Sequence, residues 1–577
     1  MLNRKTLTLG FAAALMLFAC KRPYVPAPTF SEMDNPIELT EDQKAQWASL
    51  TPGLKATWVD PAVHHAISSV PASVDSDTCE LTGWRGERTN AEILLWAPDS
   101  ILGVEGHVSD FRSNDATLPS SIAELGFVRY TLSDSTRAAG GACALMPDMI
   151  DSLRTFDMEA GKVRPVWLTV RIPSDAKPGL YNASVSITSV SGDRINLPLT
   201  LEVQNHTLPP AHDWSYHLDL WQHPAAVARA QGLTVWSDEH FEALKPMMNR
   251  LAQAGQKVVT ATLNKDPWNH QCYDGYEPMI KWTKKADGSW SYDYSVFDRW
   301  VSMMLDLGID RMINCYSMVP WNCELEYFDE AADSIITVSA EPGSKIFEEI
   351  WPPFLSDFKS HLDGKGWLNI TNIAMDERAP EAMDAAVNLL QKHAPEMGFA
   401  IADNHSSYKK YPTMRDVCVV QGQHTDHEDI ISRRANNFNT TFYVCCGPAF
   451  PNTFTSSEPF EAELLGWYGL AWDYDGMLRW AYNSWPADPQ TDSRYGIWTS
   501  GDTFIVYPYN RSSLRFENLI DGIESAEKVR ILRSEGVDVS EIEAILEHIR
   551  SNNINDPAYP WRDTLLKAHK ALDKASR

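Results

Sequence analysis

No CxxC pair and no Cys/His cluster at metal-binding spacing occurs in the 577 residues, so a zinc site is not indicated. Nothing else in the chain calls for a metal or an organic cofactor. Basic charge is also short: 50 Lys and Arg face 77 Asp and Glu, a formal net charge of −27. Such a surface repels polyanions, which argues against nucleic acid and anionic lipid as partners. Beyond Cys20 no run is long and apolar enough to span a bilayer. What is plentiful is apolar and aromatic: 44% hydrophobic residues, 11% aromatic, 21 of them Trp. That is ample for large cores and far from disorder. Two or three domains are expected, since a barrel of ~250 residues counts as one.

The chain opens on MLNRKTLTLGFAAALMLFAC: basic Arg4 and Lys5, a short apolar run, then Cys20. This is the order of an export signal, and it is too short for a spanning helix. LFAC (17–20) resembles a bacterial lipobox, which makes residues 1–20 a lipoprotein signal and Cys20 the lipidated residue. The rival reading is a plain secretory signal with an incidental Cys. Residues 21–30, KRPYVPAPTF, form a polar, Pro-rich tether. The expectation is an exported bacterial lipoprotein that meets the membrane only through its anchor. The missing acidic run after Cys20 tilts the expected location to the periplasmic side rather than the cell surface. The eight other cysteines permit disulfides, with Cys272 and Cys323, both in loop-like surroundings, as the candidate pair. Cys315, Cys418 and Cys445 sit in apolar runs and read as buried thiols.

Residues 31–210 read as a β-sandwich. AEILLWA (91–97), VWLTVRI (166–172), YNASVSIT (181–188) and INLPLTLEV (195–203) are strands with PSDAKPG and SGD turns between them. From 211 to 511 the pattern changes. Eight apolar runs (215–221, 257–264, 311–318, 370–375, 398–403, 417–422, 440–446 and 476–483) alternate with helical stretches such as 239–255 and 380–398. Met383, Ala386, Val387 and Leu390 show the helical period in the second of these. Eight β/α units predict a TIM-like (β/α)8 barrel, so the fold class is α/β. Residues 512–577 read as C-terminal helices packed on the barrel. Leu519, Ile523, Ala526 and Val529 share one face, Ser540 and Glu543 have capping-box spacing, and 562–575 suits a last helix.

The stretch NITNIAMDERAP (369–380) poses the functional question. It begins as a buried strand and stops on two adjacent carboxylates, Asp376 and Glu377. An ordinary helix start explains them in part, with Asp as a cap, Glu in a first turn and Pro380 beyond. In a barrel, however, the strand C-termini carry the chemistry, and these residues end the fourth run. The ends of the runs and the loops after them hold further candidates for a ligand site: His223, Asn264, Trp268, Trp321, Asn404, His405, Asn483 and Trp485, with Tyr443 inside the seventh run. Sugar sites pair polar groups with an aromatic platform. Each of these residues also has a plain alternative as a turn former, a satisfied histidine or a packed Trp. GWYGLAWDYDGMLRW (466–480) is aromatic enough to wall a pocket or to be core. Arg378 suits a salt bridge anchoring the turn, and Asp473 suits a cap before the eighth run.

Stretches in three parts of the chain together resemble glycoside hydrolase family 123. TGWRGERTNAEILLW (82–96) and RPVWLTVRIPSDAKPGLYNASVSI (164–187) are similar to its N-terminal sandwich. MDERAP (375–380) is similar to its catalytic Asp-Glu stretch, and GDTFIVYPYN followed by SSLRFENLIDGIESAEKV (501–529) to the end of the associated domain. The resemblance implies an exo-acting β-N-acetylgalactosaminidase that removes terminal β-linked GalNAc from a glycan by substrate-assisted, retaining catalysis. It implies Glu377 as acid/base and Asp376 as the residue that orients the 2-acetamido group; their order comes from the resemblance and not from spacing. Two other readings stay open: a non-catalytic glycan-binding lipoprotein on the same scaffold, and a glycosidase with a protein nucleophile such as Asp473.

Overall fold

The computed structural model describes residues 31–71, 78–134, 136, 140–423 and 425–577. Cys20, the signal segment and the tether lie outside the described residues.

Two sheets stack at the N-terminal end. One runs in the order Lys55–Val59, Arg88–Ala97, Lys162–Arg171, Ala123–Asp134, Cys143–Asp151, and the other pairs Cys79–Arg85, Arg194–Thr207, Gly179–Thr188, Ile101–Val108 and Thr155–Met158. The four strands read from the sequence are all present, each longer than read. Period-two alternation buries Tyr181, Val185 and Ile187 against Ile93, Leu95 and Leu168 of the facing sheet. The turns fall where Pro and Gly direct them, as at Gly192 with φ +96°.

The eight runs form the expected barrel. Its strands are β1 (His217–Leu220), β2 (Val258–Thr262), β3 (Met312–Tyr316), β4 (Thr371–Asp376), β5 (Gly398–Asp403), β6 (Asp416–Val420), β7 (Asn439–Tyr443) and β8 (Gly476–Arg479). All neighbours pair in parallel, from β2 round to β1 through β8. The β1–β2 seam is nearly closed, and buried side-chain amides stitch it. Gln256 Oε1 accepts from Leu220 N at 2.9 Å, and Gln222 Oε1 accepts from Thr260 N at 2.8 Å. At the β1–β8 contact only glycine fits, because a Cβ on Gly476 would lie 2.0 Å from the His217 carbonyl oxygen.

The structure corrects the sequence reading in several places. The β5–β6 connection carries only a 3₁₀ turn, Ser407–Lys409, in place of a helix. A four-stranded sheet (Lys281–Lys284, Trp290–Asp293, Glu324–Asp329, Ser334–Ser339) grows from the loops after β2 and β3. Its short half-exposed strands gave no clear period. The helix Ser540–Ser551 is capped at Val539 without a side-chain bond, so Ser540 is its first residue and the capping box does not form. Cys272 and Cys323 are both free thiols. Cys272 packs in the aromatic barrel interior, while Cys323 lies beside Arg378, so burial, not pairing, accounts for each. Cys315 and Cys418 are buried as read, but Cys445 is only half-buried.

The helix Leu514–Ser534 crosses Pro459–Ala471 backbone against backbone, since a Cβ on Gly466 would lie 2.4 Å from Gly522. Its first turn anchors the sandwich. Arg515, 1% exposed, donates from Nη2 to Asp148 Oδ2 at 2.9 Å and from Nη1 to the Gly501 and Phe504 carbonyls at 3.1 and 3.0 Å. Asp148 also accepts from the Tyr507 hydroxyl at 2.7 Å. Asp148→Ala would strand the Arg515 charge in a dry interior. We expect a loss of about 3–5 kcal/mol, read as a lower thermal midpoint, with partial recovery in the double variant Asp148→Leu, Arg515→Met. No shift in the single variant would mean that water reaches Arg515.

Candidate active site

The C-terminal strand ends surround an aromatic recess. Ala374 of β4 and Ala400 and Ala402 of β5 are small, which leaves room inside for Trp221, Trp268, Tyr276, Tyr316 and Tyr443. Trp268 packs on Trp221 at 5.0 Å, on Tyr316 at 4.9 Å and on Tyr276 at 4.5 Å between ring centroids. Asp376 has the same inward parity as Ala374 and enters this recess from the end of β4.

Strand alternation would send the next side chain outward. The backbone prevents this: Glu377 N still bonds the Ala402 carbonyl at 2.9 Å, but Glu377 takes φ +45°. A left-handed non-glycine residue costs on the order of 1–3 kcal/mol and persists only where its surroundings enforce it. The turn brings the Glu377 carboxylate back to the mouth. There Oε1 accepts from the Tyr443 hydroxyl, across the barrel on the last residue of β7.

Asp376 is held differently. Its Oδ2 accepts from the indole N–H of Trp268 and of Trp321, each at 3.0 Å. Trp268 comes from the loop after β2, Trp321 from the loop after β3. Asp376 keeps part of its surface open, yet it is so surrounded that burial pushes its carboxyl up to about 7. Repulsion from Glu377 adds to the rise, while the two indoles and the Arg378 charge oppose it. Burial, then the bond to Glu377, drives the Tyr443 phenol far above its ordinary value, so it stays protonated as a donor. Arg378 makes no carboxylate bridge among the described residues. Its guanidinium lies 5.7 Å from the Trp321 ring centroid, with Nη2 3.9 Å from Cys323 Sγ.

Three sequence candidates, Trp268, Trp321 and Tyr443, thus gather around the Asp-Glu pair. The other candidates are held by other groups. Asn264 clips the inserted sheet, donating to the Glu326 carbonyl at 3.0 Å and accepting from Glu326 N at 2.8 Å. His223 is buried, stacked on Tyr276 at 4.0 Å, with Nε2 2.8 Å from the Asp274 carbonyl. Asn483 is buried with both amide atoms on the His223 backbone, and buried Trp485 donates to the Val506 carbonyl at 2.7 Å. Asn404 and His405 are exposed on the β5–β6 loop, which Asp403 holds through His405 N at 2.9 Å. Within 466–480, Trp467 and Tyr468 are core, and Trp480 packs on the recess. Asp473 precedes β8, so it lies at the opposite end of the barrel, paired with Arg434 at 3.1 Å. Trp221 and Tyr316, inside the apolar runs 215–221 and 311–318, were not among the sequence candidates, and no local signal sets them apart from core residues. Among the described residues no three His, Cys, Asp or Glu side chains gather as metal ligands.

Two domain families match the chain. The glycoside hydrolase 123 catalytic domain matches residues 221–532, just over half of it, and the glycoside hydrolase 123 N-terminal domain matches residues 58–189. Among solved structures, a family 123 glycoside hydrolase from Clostridium perfringens, described for its hydrolysis of glycolipid glycans, is similar at 27% identity. It has a TM-score of 0.81 and covers 91% of this chain and 97% of its own. A family 39 glycoside hydrolase from Bacteroides cellulosilyticus shares 8% identity with a TM-score of 0.34, covering 78% and 82% of the two chains, too distant to bear on activity. No curated protein matches.

The raised Asp376 carboxyl has a consequence for stability. Unfolded, it ionises near 3.8, and folded, near 7. The stability it contributes is therefore complete below the lower value and lost as pH rises through the upper one. Asp376→Asn keeps an oxygen for both indoles and removes the titration. Its melting temperature should gain on wild type between about pH 4 and about pH 7. A constant difference would show that Asp376 titrates normally.

Proposed function

The chain belongs to glycoside hydrolase family 123, and from that premise we propose that it is an exo-acting β-N-acetylgalactosaminidase using substrate-assisted, retaining catalysis. The carbonyl oxygen of the sugar's own 2-acetamido group attacks the anomeric carbon from below as the glycosidic bond breaks. Glu377 donates its proton to the departing oxygen. Asp376 accepts the acetamido N–H, aligns it and offsets the positive charge that grows on the oxazoline-like intermediate. Glu377, now a carboxylate, then takes a proton from water, which opens the ring with overall retention.

The observation that carries this reading is the unequal holding of two adjacent carboxylates. Asp376 is locked by two indole N–H donors, which suits a residue that must stay in one orientation. Glu377 receives the Tyr443 hydroxyl on Oε1, which suits a proton exchanged at Oε2. Burial and repulsion from Glu377 raise Asp376 in the free enzyme, and the acetamido N–H, a hydrogen-bond donor, favours its carboxylate once substrate binds. A protein nucleophile is not needed, and Asp473, facing the other end of the barrel, is far from the reacting atoms. We extend to this chain the substrate class of the Clostridium perfringens enzyme, glycolipid glycans. We keep the exported, Cys20-anchored location, periplasmic rather than cell-surface, as part of the same proposal.

The mature chain should cleave aryl β-GalNAc in preference to aryl β-GlcNAc and leave aryl β-galactoside intact. Glu377→Gln should lower kcat/KM by about 10²–10⁴-fold, and Asp376→Asn by about 10²–10³-fold. Cleavage of the plain galactoside would exclude the acetamide mechanism. Tyr443→Phe should cost about tenfold and move the pH profile, since one of the hydrogen bonds that hold Glu377 is lost; an unchanged profile would separate Tyr443 from the acid/base step.

A further inference from the structure

Directly after Tyr443 the chain reads Val444, Cys445, Cys446, Gly447, and this turn forms part of the rim of the recess. The Cys445 and Cys446 sulfurs lie 3.9 Å apart. Cys445 is half-buried and packs on the aromatic cluster that holds Tyr443 and Trp268; Cys446 is exposed. The backbone on both sides is tied down. Val444 O accepts from the buried Arg479 at 3.3 Å, and Cys445 O accepts from Asn452 Nδ2 at 2.9 Å. Cys446 is the one exposed cysteine among the described residues.

We infer that Cys445 and Cys446 form a redox-active dithiol that reacts with low-molecular-weight disulfides and, on closing into a vicinal disulfide, alters the site beside Glu377. The steps balance as thiol–disulfide exchange. Cys446, as thiolate, attacks one sulfur of the oxidant, the oxidant's S–S bond breaks, and one thiol leaves. Cys445 then loses its proton to solvent and attacks Cys446 Sγ, releasing the second thiol. Two protein thiols are oxidised to one disulfide, and the oxidant disulfide is reduced to two thiols. The order of attack follows from exposure. It is supported by the Cys445 thiol's hydrogen bond, which draws Cys446 down to about 7 against burial and the nearby Asp502 and Glu377 charges.

Closure matters for the site because an S–S bond is only ~2 Å long. The sulfurs must approach by nearly half their separation while Val444 O and Cys445 O remain tied. The turn has to twist, and Tyr443, with the hydroxyl that holds Glu377, is two residues away. Consecutive Cα atoms are ~3.8 Å apart, below the usual disulfide range. Such a bond is strained and readily reversed, as a switch requires.

The test uses the mature chain, reduced and then exposed to oxidised glutathione. Peptide mapping should find Cys445 and Cys446 joined, with one hydrogen lost from each. Cys445→Ser should trap glutathione on Cys446. Hydrolysis of aryl β-GalNAc, which rests on the proposed function, should differ between oxidised and reduced wild type by on the order of ten- to a hundredfold. The doubly substituted Cys445→Ser, Cys446→Ser chain should not respond to the oxidant. Failure to form the joined peptide, or equal hydrolysis by both redox forms, overturns the inference. A joined peptide on a chain that cleaves no glycoside would sink the proposed function and leave the dithiol chemistry standing.

Discussion

Carboxylates on consecutive residues repel each other, and in a recess lined by aromatic rings there is little water to screen them. That repulsion shapes the mouth of this barrel. Two indole N–H groups, from loops of different origin, converge on one oxygen of Asp376. A phenol from the far side of the barrel receives Glu377. Arg378, the next residue, contributes its charge without making an ion pair to either acid. The surroundings supply dipoles more than counter-charges. This raises the Asp376 carboxyl towards neutral pH, the range in which acid/base chemistry operates.

The left-handed conformation of Glu377 needs a rigid frame. Its amide remains in the parallel ladder with β5, so the turn occurs one atom beyond a fixed point. Around it the barrel is made stiff by buried polar stitching at the β1–β2 seam and by backbone contact at Gly476. The sandwich adds to this. Arg515 leads the helix that crosses Pro459–Ala471 and bonds Asp148 in the N-terminal sheet. Local strain at one residue is thereby opposed by a single unit running from Glu32 to Arg577.

The same rim joins catalysis to a second chemistry. Tyr443 ends β7, and the vicinal thiols follow at once, so any twist of that turn bears on the hydrogen bond to Glu377. The inserted four-stranded sheet shares the loop after β3 with Trp321, which is 38% exposed while its indole N–H bonds Asp376. Aromatic faces of this kind suit the apolar side of a sugar ring.

The sequence by itself determined the scaffold. Strand and helix periods are local, and eight of them in alternation leave few topologies other than a barrel with Asp376 and Glu377 at its mouth. The sandwich strands and their Pro/Gly turns were legible for the same reason. Contacts between residues far apart in the chain were not. That Trp268 and Trp321 reach Asp376 while Trp485 packs inside, that Asn264 and Asn483 bind backbone, that Cys272 and Cys323 stay unpaired, and that Tyr443 meets Glu377 were decided only when the barrel closed. A residue's period reports which face it occupies, whereas its partner depends on which strands lie opposite, and closure alone sets that.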